Sequence, residues 1–182
     1  MGLDMTIKEL LQGKHTGHPL HPAIVHIPTG LWPAALVFDL LSVAGIGGNP
    51  MVRTSFFAIA LGLAAALAAV PTGLADSSEI KKDRPAWKLG LVHLLLNGVV
   101  AVLFLVNIIL RWRTFDTAAS VTGGQLTVTI IADVLLSVSG YLGGRMVYDY
   151  GIGVVRLPKP KQAWRSRAEA AGANLPPAKA DG

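Results

Sequence analysis

Four long apolar stretches alternate with short polar connections along the chain. The apolar stretches run over residues 23–46, 54–75, 89–110 and 121–144. Each reaches the ~20 residues that an α-helix needs to cross the ~30 Å hydrocarbon core of a bilayer. The second and third stretches contain no Asp, Glu, Lys or Arg. This pattern predicts an all-α, membrane-embedded four-helix bundle over residues 1–156, with no room for a second folded domain.

The two ends of the chain carry different signals. Thr6 and Glu9 have the spacing of a capping box, which predicts a short helix over residues 7–12 at the membrane interface. Residues 157–182 are basic and rich in Pro and Ala, so we expect a disordered tail there. No nucleic-acid recognition motif accompanies these charges, and we therefore expect no nucleic-acid partner.

The basic residues are unevenly divided between the two sides of the predicted bundle. With four spans, both termini and the middle connection lie on one side. That side carries all of the 16 Lys and Arg residues except Arg53, Arg111 and Arg113. Because connections rich in Lys and Arg stay in the cytoplasm, we expect both termini to be cytoplasmic.

Two histidines occupy similar positions in the first and third predicted spans. His26 lies about one turn inside the first span, and His93 lies near the start of the third, so we expect both at one depth. Bis-histidine haem iron takes one imidazole from each side of the porphyrin. The chain has no cysteine, which excludes thiolate-ligated clusters and C-x-x-C-H haem attachment. We therefore expect a b-type haem with His26 and His93 as axial ligands.

Small residues accompany these histidines. Gly30 and Gly90 lie on the helix faces of the two imidazoles, and Gly140 lies at the same level of the fourth span. Asn97, one turn after the second histidine, is expected to orient its ring or a bound group. The same glycines also suit close helix packing, and residues 140–144 have the G-x-x-x-G spacing. Packing without a cofactor, oligomerisation through these faces and a proton relay are therefore alternatives.

The segment HPLHP precedes the first predicted span and contains His18 and His21. Pro19 and Pro22 disfavour helical geometry in the residues before them, so we expect a stiff, extended strap. Its histidines are a candidate site for a divalent metal, because imidazole is a good ligand for such ions. The alternative is that they are interfacial polar residues.

Two carboxylates, Asp39 and Asp133, lie inside the first and fourth spans, where an acid is costly unless it is paired or hydrated. One interpretation is a proton path from these acids toward the histidines. The other, which we favour, is structural. In it, Asp133 bonds to a neighbouring helix, and Asp39 reaches the outer interface with Asn107 as its candidate partner.

The chain resembles domain-of-unknown-function family 2231, which consists of small bacterial four-helix membrane proteins. The resemblance lies in Asp39 and in the stretches GHPLHPAIVHIPTGLW, VPTGLAD, LVHLLLN and GYLGGRMVYDYGIGV, and it covers residues 14–155. It implies the fold and a place in the bacterial cytoplasmic (inner) membrane. Some relatives resemble fusions with Rieske-type iron–sulfur domains, which implies a redox setting. Without cysteines, this chain would need a separate protein as its iron–sulfur partner.

These observations lead us to expect an integral membrane haem protein that passes electrons to or from a redox partner or quinone. The alternatives are an accessory or assembly subunit of a larger membrane complex, and a metal- or proton-coupled transporter. No nucleophile elbow, H-E-x-x-H motif or phosphate-binding loop is present, which argues against hydrolytic catalysis. We expect an electron carrier or a subunit rather than a stand-alone enzyme.

Overall fold

The computed structural model describes residues 5–154 and 167–172 and consists of one short and four long helices. The helices are α1 (Ile7–Leu11), α2 (Leu20–Val43), α3 (Asn49–Ser77), α4 (Pro85–Arg111) and α5 (Gly123–Tyr148). The four long helices are each long and apolar enough to cross a membrane. The predicted all-α fold with four spans is confirmed. Most of the predicted tail lies outside the described residues, and residues 167–170 form a helical turn.

Capping boxes begin two of the helices. At α1, the hydroxyl of Thr6 accepts from the Glu9 N–H at 3.3 Å, and the Glu9 carboxylate accepts from the Thr6 N–H at 3.0 Å. At α5, Thr122 and Gln125 make the same reciprocal pair at 3.3 and 2.9 Å. Each box satisfies two N–H groups that a helix start leaves without an internal partner. The short helix predicted from the first box is confirmed.

Helix α2 starts at Leu20, before the predicted residue 23, so that His21 and Pro22 belong to its first turn. The expected extended strap therefore stops at Pro19, which is extended with ψ 127°. The prediction of a strap through Pro22 was wrong because a proline in the first helical turn gives up only an N–H that has no intrahelical partner.

The long helices form two hairpins. Helices α2 and α3 pack along each other, as do α4 and α5, while the two hairpins meet along smaller contacts of α2 with α5 and α3 with α4. The starts of α2 and α4 and the ends of α3 and α5 thus share one end of the bundle. Helix α1 packs against α3 there, and we name this the α1 end. The other end is the opposite end.

The centre of the bundle is an apolar core to which all four long helices contribute. Trp32 of α2 and Phe104 of α4 stack with ring centroids 4.4 Å apart, and the Trp32 indole N–H donates to the carbonyl of Ile59 at 3.3 Å. Leu136 of α5 completes the cluster. Large apolar side chains are instead exposed around the outside, as lipid-facing residues are in a membrane bundle. The core therefore separates polar groups at the α1 end from those at the opposite end.

Candidate functional site

His21 is held against the end of α3. Its Nδ1 lies 3.0 Å from the carbonyl oxygen of Ala69 and 3.2 Å from the hydroxyl of Thr72. The ring also lies directly over Gly73, where an added Cβ would come within 2.7 Å of the imidazole Cε1. Glycine at this position therefore makes the space in which the ring packs on α3.

His93 is held in the same way against α5. Its Nδ1 lies 2.8 Å from the carbonyl oxygen of Ser139 and 3.1 Å from the hydroxyl of the same residue. An added Cβ on Gly143 would come within 3.0 Å of the imidazole Cε1. Each hairpin thus pins one half-buried imidazole with a carbonyl, a hydroxyl and a glycine of its second helix.

These contacts decide which ring nitrogen carries the proton. A carbonyl oxygen only accepts, so Nδ1 of both His21 and His93 donates, and Nε2 is the basic nitrogen. At His93 the amide N–H of Asn97 donates to Nε2 at 3.1 Å, which agrees with this tautomer. An Nδ1–H bonded to a carbonyl is also the arrangement that orients a metal-ligating histidine. His21 on α2 and His93 on α4 both lie toward the α1 end of the bundle, and we name these two imidazoles the histidine layer.

The structure does not bring the expected pair, His26 and His93, together. His26 is exposed, and its Nδ1 bonds to the carbonyl of Pro22 in its own helix. Residues five apart on a helix differ by about 140° in direction, so α2 cannot aim both His21 and His26 at the interior. Of these two α2 imidazoles, the one held against a neighbouring helix is that of His21.

The other predicted cofactor-site residues divide into contacting and open positions. Asn97 contacts His93 as expected. Gly90 lies against the methyl group of Met146, whose carbon would be 3.2 Å from an added Cβ. Gly30 and Gly140 are exposed and face open space, so they do not line the interior layer.

The candidate metal site at His18 and His21 is not assembled in the structure. His18 is exposed before α2 begins, whereas His21 turns onto α3. Within residues 5–154 and 167–172, no group of three or more His, Cys, Asp and Glu side chains is arranged to hold a metal ion.

A buried ion pair joins Asp39 of α2 to Arg111 of α4 at the opposite end. Both side chains are fully buried, and the guanidinium donates to the two carboxylate oxygens at 2.8 and 2.6 Å. Arg111 also donates to the hydroxyls of Ser55 and Thr129 and to the side-chain oxygen of Asn107. All five guanidinium N–H groups therefore have acceptors, drawn from all four long helices.

Thr129 and Asn107 extend this pair into a network. The Thr129 hydroxyl donates to Asp39 at 2.9 Å and accepts from Asn107 at 2.8 Å. The predictions that Asp39 reaches the outer interface and that Asn107 is its partner were wrong, because Arg111 supplies the counter-charge. The charge count assigns Arg111 to the connection after the third span. Its i, i+4 spacing from Asn107 is the sequence signal that indicates a shared polar face of α4.

Asp133 has a different environment from that of Asp39. It is 8% exposed, and neither carboxylate oxygen has a hydrogen-bond partner among the described residues. The favoured structural interpretation, a bond from Asp133 to a neighbouring helix, is therefore not supported. Its backbone carbonyl accepts from the Ser137 hydroxyl at 2.8 Å, but that bond leaves the carboxyl group without a partner.

Comparison with known proteins identifies one family. A family model described as a predicted membrane protein, DUF2231, matches residues 17–156. No curated protein and no solved structure matches the chain. The matched region contains the four long helices, the histidine layer and the buried ion pair.

Proposed function

Because the chain belongs to the DUF2231 family of predicted membrane proteins, we propose a function that a membrane bundle can perform. The chain is a b-type haem-binding protein that carries electrons to or from a redox partner or quinone. The observation that supports this proposal is the histidine layer. Two imidazoles from separate hairpins have Nδ1 fixed by a carbonyl and Nε2 left as the basic nitrogen.

The donor set suits haem at His21 and His93. Haem iron takes an imidazole nitrogen on each face, and His21 and His93 come from the facing hairpins of the bundle. His26, exposed and bonded within its own helix, does not fit this role. When bound, the haem supplies one-electron redox chemistry, and the chain supplies the ligands and their orientation.

The residues around His21 and His93 fix the tautomer and the orientation of the two imidazole rings. The carbonyls of Ala69 and Ser139 keep the Nδ1 protons in place, which favours a basic Nε2 on each ring. Asn97 holds Nε2 of His93 at 3.1 Å and is also anchored on the His93 carbonyl at 2.9 Å. The Asn97 amide must therefore give way to any ligand of Nε2.

We further propose that the protein lies in the bacterial cytoplasmic membrane with both termini in the cytoplasm. The charge asymmetry is larger than the sequence alone suggests, because Arg111 is buried in the ion pair. Arg53 and Arg113 are then the exposed basic residues at the opposite end. The histidine layer lies at the α1 end, where the electrons would meet a cytoplasmic partner or the inner leaflet.

Absorption spectra test the haem proposal. Protein purified in detergent, expressed with haem supplied, is measured oxidised and after dithionite reduction. We expect a low-spin b-type spectrum in the natural chain, and its loss in His21→Ala and in His93→Ala. His26→Ala is the matched control, since its ring lies on the same helix but faces outward, and its spectrum should not change. A featureless spectrum of the natural chain would overturn the proposal. Loss in His26→Ala and His93→Ala, with an unchanged spectrum in His21→Ala, would instead assign the ligands to His26 and His93.

A second candidate is an accessory subunit of a larger membrane complex, and one observation favours it. Gly140 faces open space, and Gly144, four residues on, has only the ring of its own helix's Tyr148 at 4.0 Å. This spacing lets the backbone of a partner helix approach closely. Copurification of a membrane complex from mild detergent, lost in Gly140→Leu but kept in His21→Ala, would favour this candidate over the haem protein.

A further inference from the structure

Asp133 lies in the middle of α5, ten residues after the helix begins at Gly123 and fifteen before it ends at Tyr148. Its side chain is more than nine-tenths buried, and both oxygens lack a partner among the described residues. A carboxylate inside a membrane is costly when nothing compensates its charge. Packing alone therefore does not explain a carboxyl group at this position.

The chain provides its own comparison in Asp39. Both acids lie inside membrane-spanning helices and are buried. Asp39 is bound by Arg111 through two oxygens and accepts a third bond from Thr129, so its charged form is satisfied. Asp133 has no such counter-charge. A buried carboxyl group without a counter-charge is accommodated as the neutral acid, since neutralisation removes most of the cost of burial.

Asp133 also stands between the two polar ends of the bundle. It lies one turn from Thr129, which donates to Asp39, and about 9 Å along the helix from Ser139, which holds His93. Thr129, Asp133 and Ser139 all lie on the buried face of α5. The Asp133 carboxyl group therefore lies beside the apolar core, between the ion-pair network and the histidine layer.

Among the buried residues of the two helices that pack on α5, the titratable side chains are Asp39 of α2 and Arg111 of α4. His93 of α4 lies nearer the α1 end, where Ser139 holds its ring. Helix α3 contributes no titratable side chain to its buried residues, since Arg53 and Asp76 lie toward its two ends. All five N–H groups of Arg111 donate to acceptors other than Asp133, so Arg111 forms no ion pair with the Asp133 carboxyl group.

We propose that Asp133 is a proton-carrying site inside the membrane, which holds a proton at neutral pH and exchanges it with water. This gives the bundle a proton-binding function in addition to the proposed haem binding. The two do not depend on each other, because a chain without haem would still carry the proton on Asp133.

Infrared spectroscopy of protein in lipid vesicles tests the proposal. We expect a carbonyl stretch of a protonated carboxyl group at neutral pH, which shifts on transfer to D2O and disappears in Asp133→Asn. The matched control is Asp39→Asn, which should keep the band, because the ion-paired acid is ionised. If Asp133→Asn does not fold, Asp133→Glu gives the second readout, a band at a shifted frequency.

Two results would overturn the proposal. Absence of a protonated-carboxyl band in the natural chain at neutral pH would show that Asp133 carries no proton. A band that never responds to D2O or to alkaline pH would show a sealed acid that exchanges nothing. If the natural chain shows the protonated-carboxyl band but no haem spectrum, the proposed haem function fails and the proton site stands. The two failures are therefore distinguishable.

Discussion

Replacing Asp39 with Asn tests whether the buried ion pair holds the two hairpins together. The substitution keeps the size of the side chain and one acceptor oxygen but removes the negative charge. Arg111 would then be a buried cation without a counter-charge, at a site where both side chains are fully buried. Breaking a buried pair by removing one partner costs about 3–5 kcal/mol, because the remaining charge is left uncompensated.

The structure explains why the full penalty is expected. Arg111 uses all five N–H groups, and two of its bonds go to the carboxylate at 2.8 and 2.6 Å. The remaining three acceptors, Ser55, Thr129 and Asn107, are neutral and hold the guanidinium in place. The arginine therefore cannot turn toward water when Asp39 is neutralised without breaking these bonds as well.

Unfolding in mixed micelles with increasing SDS, followed by circular dichroism, measures the loss. We expect Asp39→Asn to lower the free energy of unfolding by about 3–5 kcal/mol, and the double variant Asp39→Leu with Arg111→Met to recover most of it. Arg113→Gln is the matched control on an exposed arginine and should change stability by less than ~0.5 kcal/mol. The reasoning fails if Asp39→Asn behaves like Arg113→Gln, or if the double variant is as unstable as the sum of its single changes.

Three further predictions concern packing, pH and topology. An added Cβ on Gly62 would meet the Trp32 indole within 2.7 Å of Cδ1, so Gly62→Ala should cost about 1–3 kcal/mol in the same assay, while Gly98→Ala, with open space around it, should not destabilise. Hydrogen bonds from Gln12 and Lys14 lower the pKa of Glu79 in the folded chain. The stabilisation that Glu79 provides is therefore present above its unfolded-state pKa and is lost as the pH falls through its lower folded-state pKa. The protection factors of the α1 amides, which are corrected for the intrinsic pH dependence of exchange, should therefore fall on acidification. Glu79→Gln should weaken that fall and leave the part due to the Glu9 capping box; an identical profile in the variant would contradict it. Reporter fusions at either terminus should both be active in the cytoplasm, and a periplasmic signal from either would refute the orientation.

The sequence predicts the long helices well because each contains an apolar stretch long enough to cross the bilayer. Four apolar windows and the Thr6–Glu9 capping box correspond to helices of the structure. The boundaries differ because helices continue past the hydrocarbon into polar residues, as α3 does by starting at Asn49. Hydrophobicity marks the part inside lipid and does not register where the backbone hydrogen bonds stop.

The candidate site is harder to predict because it depends on helix rotation. The sequence pattern places His21 before the first span and favours His26, and only the packing of α2 on α3 shows that the His21 ring turns inward. Apolar side chains surround every span, so little in the sequence pattern fixes which face turns inward. The same holds for Arg111. A basic residue at the end of a span is assigned to the loop by its sequence position, and only the structure shows that it pairs with buried Asp39.

The pairing of Asp39 with Arg111 also bears on how the protein is made. The two residues are 72 positions apart, so α2 is synthesised and delivered to the membrane well before α4 is complete. Until then Asp39 has no cation to meet it, and a truncated chain that ends before Arg111 keeps an uncompensated acid in the bilayer. The burial of Asp39 is therefore compensated only once the third span is in place beside the first.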